Sequence, residues 1–142
     1  MREKGIATIV MPGASCISAC AVAFLGGVSR TVNGVYGIHR PYTIDPSAGP
    51  RDSLDQYNSM IRMLNSYMLE MRISPDLAEQ MVKTSPENVR FLTPSEMSSL
   101  GVTGKDPVWE DILITKNARK YGISRQEYIS RRAATANLCG KG

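Results

Sequence analysis

Ser18 stands in the run Cys16-Ile17-Ser18-Ala19-Cys20, after an apolar strand-like stretch and before a helix-like one. His39, the single histidine of the chain, follows twenty-one residues later. A serine nucleophile needs a base of near-neutral pKa to take its proton, and donors to hold the oxyanion that forms after attack. A serine at the first turn of a helix has unpaired backbone N–H groups beside it, and the helix dipole favours negative charge there. The pair therefore proposes hydrolytic chemistry, with Ser18 attacking, His39 shuttling the proton and the Ala19 N–H receiving the oxyanion. Each residue alone has a plainer explanation: serine is a good helix N-cap, and a lone histidine at a strand end is usually a satisfied polar group. It is the joint pattern that points to a site.

The elements that must carry these residues are legible nearby. Residues 6–10, Ile-Ala-Thr-Ile-Val, read as a strand buried on both faces. Turn residues over 11–15 break it, and from Ser18 the chain is small and apolar all round until Gly26-Gly27, which predicts a core helix ended by glycine. After the turn signal Asn33-Gly34, residues 35–38 predict a second strand with His39 at its end. Strand, turn, helix, strand is the pattern of an α/β crossover, whose sites lie at the carboxyl ends of strands.

The stretches 16–20, Phe24-Leu25-Gly26-Gly27, Arg30 and Gly37-Ile38-His39-Arg40-Pro41, in that order, resemble the ClpP-like serine peptidases within the ClpP/crotonase fold, in particular their periplasmic bacterial branch. Residues 90–96 and 100–102 continue the likeness, which covers roughly the first hundred residues. It implies a ClpP/crotonase-like βαβ core with a small parallel sheet, an excess of helices, peptide-bond hydrolysis by Ser18 and His39, a peptide or protein substrate, a homo-oligomer and a periplasmic location. The family's third catalytic residue falls on Val89, so the orienting role passes to its neighbour Asn88, as asparagine serves in some cysteine proteases. The resemblance also implies strands and a Gly-Gly oxyanion segment upstream of residue 1, where an export signal would also lie; residues 1–12 do not read as a signal peptide. A catalytically silent binding or assembly module is the alternative, favoured by Val89 and by the single oxyanion donor.

The 142 residues are enough for one α/β domain over 1–104 and a helical extension over 105–142. No apolar run approaches the ~20 residues of a membrane span. The net charge is +4; residues 1–104 hold nine basic and nine acidic side chains, and 105–142 hold eight and four. With few aromatics interleaved, the basic extension reads as a solvated helical surface and not as a nucleic-acid site. Asp106-Pro107 and Ser124 to Glu127 predict two helix starts there, with a flexible end beyond.

Cys16 and Cys20 admit three readings: a disulfide, half of a metal site, or two thiols packed in the elbow. The expectation is buried thiols, with no metal and no cofactor, and with Cys139 exposed. Between the two regions, a Pro/Ser/Gly-rich loop over 42–50 leads to an amphipathic helix from 53 to about 72, with Leu54, Tyr57, Ile61, Leu64 and Met68 inward. Its methionines suit core packing, or a subunit interface. Ser74-Pro75-Asp76 opens the next helix, and Thr93-Pro94-Ser95-Glu96 is a capping box with Gly101 as the stop.

Overall fold

The computed structural model describes residues 1–42 and 50–139, and within these the side chains other than those of residues 50–53 and 139. The expected loop over 43–49, the Ser53 cap, the Cys139 thiol and the flexible end beyond 139 lie outside the described residues. The chain divides into two compact units, 1–106 and 107–142.

In the first unit a 3₁₀ turn, Arg2–Lys4, leads into strand β1 (Thr8–Val10), β2 (Ser15–Ile17), helix α1 (Ala19–Phe24), β3 (Ser29–Val32) and β4 (Val35–Ile38). Helices α2 (Pro50–Glu70) and α3 (Pro75–Lys83) follow, then β5 (Arg90–Phe91), α4 (Pro94–Ser99) and β6 (Gly104–Lys105). The strands form two mixed sheets, ordered β1-β3-β6 and β2-β4-β5. In each the first pair is parallel and the second antiparallel. The expected single parallel sheet is thus corrected to two. The turn over 11–14 carries the chain from one sheet into the other, and a three-residue strand embedded among turn residues leaves no periodicity to read.

Two further expectations change. β1 is not buried on both faces, since Val10 is buried while Ile9 is exposed. α1 is not enclosed either: Ala21 and Phe24 face the core, whereas Ala19 and Ala23 are exposed. Its uniform apolarity reflects one packed face and one face lining open cavities.

The core gathers Phe24, Leu25, Tyr36, Ile38, Met68, Leu77, Met81, Met97 and Val102 into one cluster, with Phe24 and Tyr36 packed edge to face. Among the described residues of α2, the C-terminal half contributes through Leu64 and Met68, and Met71 just beyond it joins them. Leu54 at the other end is exposed, against the inward placement expected of it. The capping box at α4 is formed in both directions between Thr93 and Glu96, and Gly101 adopts φ 77° after it. Ser74 caps α3 by accepting from the Asp76 N–H.

Arg30 is the unusual core residue, 4% exposed on β3. Its guanidinium donates to the carbonyls of Leu25 and Gly27 beyond α1, and of Gly101 and Val102 beyond α4. Both helix ends present unpaired carbonyls and negative dipole ends, so a buried cation there satisfies several acceptors at once. Burial lowers its pKa, and the charge of the fully buried Asp106 acts in the opposite sense.

The second unit is a pair of helices, α5 (Pro107–Lys120) and α6 (Arg125–Cys139), joined through Gly122 at φ 64°. Within it Asn117 donates to the Tyr128 hydroxyl at 3.0 Å, Arg125 pairs with Asp111, and the Tyr121 and Tyr128 rings stack. The Ser124 hydroxyl accepts from the Glu127 N–H, the first half of the expected capping box. Among the described residues no helix is long and apolar enough to cross a membrane.

Candidate active site

Ser18 and His39 each follow directly on the carboxyl end of a strand, Ser18 after β2 and His39 after β4. These strands are parallel neighbours with Ile17 opposite Gly37. The Ser18 N–H continues the ladder by donating to the Gly37 carbonyl at 3.3 Å. Extending the register one step further sets Ser18 beside Ile38, the residue before His39. The neighbourhood is therefore a consequence of strand pairing and not of a long loop.

Ser18 has φ 62° and ψ −125°, and its side chain makes no capping hydrogen bond although it occupies the N-cap position of α1. The plain explanation of a serine opening a helix is thereby removed. A non-glycine residue held at positive φ stores on the order of 1–3 kcal/mol of backbone strain. Strained turns from strand to helix are the device that lifts a nucleophilic hydroxyl clear of the backbone in α/β-hydrolases. Ala19, next in the chain, opens the helix, where the first N–H groups have no intrahelical acceptor.

Cys16 and Cys20 form a disulfide that brackets this turn, with Cα atoms 5.2 Å apart. The expectation of free packed thiols is corrected. Cys16 is buried but Cys20 is exposed, and the sharp reversal through Ser18 brings the two within ordinary bridging range.

His39 is 8% exposed. Its Nδ1 lies 2.9 Å from the Arg40 carbonyl oxygen. A carbonyl can only accept, so Nδ1 is the donor here, and in the neutral ring Nε2 then holds the lone pair. The next residue is fixed in turn, as the Arg40 N–H donates to the Thr84 carbonyl at 2.8 Å. The Tyr42 ring packs beside the imidazole with centroids 5.9 Å apart.

The Asn88 amide N–H donates to the Ser85 hydroxyl at 2.9 Å, and the residue is exposed, while the acceptor at His39 Nδ1 is the Arg40 carbonyl. Orientation of the imidazole by a main-chain acceptor leaves no signal in a sequence read by side chains. Val89, the position next to Asn88, is packed towards Gly37: a Cβ at 37 would stand 2.6 Å from the Val89 side chain.

Ser18, Ala19 and His39 line one cavity of about 990 Å³, walled otherwise by Val22, Ala23, Pro41, Tyr42 and Met81 and by a long face of α2. From α2 it takes Gln56, Ser59, Met60, Met63, Leu64 and Tyr67. This explains the half of α2 that stays out of the core. Its methionines line a space broad enough for an extended ligand, and thioether side chains adapt to varied apolar shapes. Ser18 and His39 share this wall without a hydrogen bond to each other, a looseness common in unliganded sites. Among the described residues no group of three or more His, Cys, Asp or Glu side chains is arranged to hold a metal ion.

No protein-family model matches the chain, and no curated protein matches it.

Proposed function

We propose that this chain is a serine hydrolase of ClpP type, with the ClpP/crotonase fold, that cleaves peptide bonds through a Ser18–His39 centre. The reading is carried by Ser18, which combines positive φ, a hydroxyl not spent on capping and a place on the same cavity wall as His39. The Ser18 hydroxyl attacks the substrate carbonyl and its proton passes to His39 Nε2. The Ala19 N–H then holds the oxyanion, and the imidazolium returns the proton to the leaving amine. The Arg40 carbonyl keeps the imidazole in the required tautomer. The cavity accommodates a segment of polypeptide with apolar side chains along α2. The disulfide fits an oxidising compartment such as the periplasm.

One observation favours a second reading, a silent member acting as a binding or assembly module. The apolar Val89 packs where the resemblance implies a catalytic carboxylate. The two are separated by a fluorophosphonate probe, which modifies activated serine hydroxyls. The hydrolase reading expects covalent labelling of the wild-type chain and none of Ser18→Ala. A folded wild-type protein that stays unlabelled rejects it. Homo-oligomerisation, the other property proposed, is read by light scattering, where a monomer at all concentrations rejects it.

A further inference from the structure

We propose that the Cys16–Cys20 disulfide is a positioning element for Ser18, holding it at positive φ, so that reduction of the bridge lets the nucleophile relax out of its reactive backbone conformation. The inference rests on the reading of Ser18 as a nucleophile.

Four observations carry it. The bridge closes a ring of only five residues with Ser18 at its centre. Stabilisation by a cross-link grows with the length of the loop it closes, so so short a ring restrains the unfolded chain little. Its effect is local. Next, Ser18 occupies a conformation that non-glycine residues rarely adopt, and such strain persists only where the surroundings over-determine it. Third, the other restraints are weak. The Ser18 N–H reaches Gly37 at 3.3 Å, the Ser18 carbonyl accepts from Val22 at 3.3 Å, and the side chain caps nothing. Last, the two half-cystines are unequally placed. Cys16 is anchored in the core on β2, and Cys20 is exposed in the first turn of α1. The bridge therefore ties the moving end of the turn to a fixed one, with one end open to reagents.

The chemistry is thiol–disulfide exchange with a dithiol reductant. One thiolate of the reductant attacks Cys20 Sγ and expels Cys16 as a thiolate, which takes a proton. The second reductant thiolate then closes on the first sulfur and expels Cys20. Two electrons and two protons pass to the protein, and the reductant leaves as its own disulfide.

The test measures two things on the full chain before and after dithiothreitol: the rate of fluorophosphonate labelling, and the one-bond Cα–Hα coupling of Ser18, which reports the sign of φ. Loss of the strained conformer is expected to slow labelling by roughly tenfold, the scale set by the strain of one such residue. The coupling moves to its negative-φ value, circular dichroism stays native, and reoxidation restores both readouts. Cys20→Ala, which leaves buried Cys16 in place, is expected to behave as the reduced wild type. A coupling unchanged by reduction overturns the inference, whatever the labelling rate does. An oxidised protein that is never labelled, but whose coupling still moves on reduction, supports the clamp and rejects the hydrolase reading.

Discussion

At the scale of single residues, the decisive feature is a division of labour around His39. Its Nδ1 is committed to a main-chain carbonyl, so only Nε2 is available to take a proton. On the proposed hydrolase reading, a side chain that cannot act as a base at that position should lose the proton-transfer contribution, while Ser18 and the Ala19 N–H stay in place. His39→Gln is therefore expected to slow fluorophosphonate labelling by about 10²–10⁴-fold with little change in thermal midpoint. Unchanged labelling would remove His39 from the mechanism. Asn88→Ala offers the contrast: because His39 Nδ1 has the Arg40 carbonyl as its acceptor, labelling is expected to stay within about threefold of wild type, against the ~10²–10⁴-fold contribution of a general base. Ser18 and His39 were both legible as residue types at a suggestive spacing. What could not be read was the φ of Ser18, because serine gives no hint of a glycine-like conformation. Nor was the orienting partner of His39 legible, because main-chain acceptors are the same at every position.

At the scale of elements, Arg30 and Tyr36 show how two polar groups organise an otherwise apolar core. Arg30 sits on β3 and gathers the carbonyls at the ends of two helices, and removing its guanidinium leaves those acceptors without their donor, while buried Asp106 keeps its ion pair with Arg2. Arg30→Met is expected to destabilise the first unit by about 3–5 kcal/mol in urea unfolding, since several buried carbonyls lose their donor at ~1–3 kcal/mol each. A loss below ~1 kcal/mol, that of an exposed ion pair, would show the network to be dispensable. Tyr36 donates its hydroxyl to the Ala21 carbonyl and is 1% exposed. Burial is the largest cause of its raised pKa, with Arg30 acting the other way. The folded phenol thus keeps its proton where the unfolded one, near ~10, loses it. The native state then binds more protons, so the Tyr36 contribution to stability is fully present below pH ~10 and declines as pH rises above it. Urea midpoints between pH 8 and 11 should fall for wild type and fall less steeply for Tyr36→Phe. Parallel slopes would refute the assignment. The sequence pattern located α3, α4 and β4, whose caps and periodicity are local. It missed β2 and β3 because three residues among turn signals, and a strand carrying a buried arginine, violate the patterns by which strands are recognised.

At the scale of the whole molecule, the residues that could do chemistry are concentrated in one unit. Ser18, Ala19, His39, the disulfide and every residue lining the large cavity fall within 1–106. So does the core that fixes them, from Phe24 to Val102. The excess positive charge falls in 105–142 instead, on helices held together by their own ion pairs and stacked tyrosines. Composition alone disclosed that asymmetry, because net charge needs no fold to be counted. It could not disclose that the methionine-rich face of α2 would line a cavity and not fill a core, since an amphipathic stripe looks the same whether a protein surface or a ligand covers it. The segregation makes a definite expectation for the chain cut after Asp106. The 1–106 fragment should keep a cooperative thermal unfolding transition and label at Ser18 within about threefold of the intact chain, a difference of less than ~1 kcal/mol in barrier. A fragment that folds yet labels more than tenfold slower would assign part of the reactive geometry to the helical pair. That would relocate the problem from the turn at Ser18 to whatever the extension supplies.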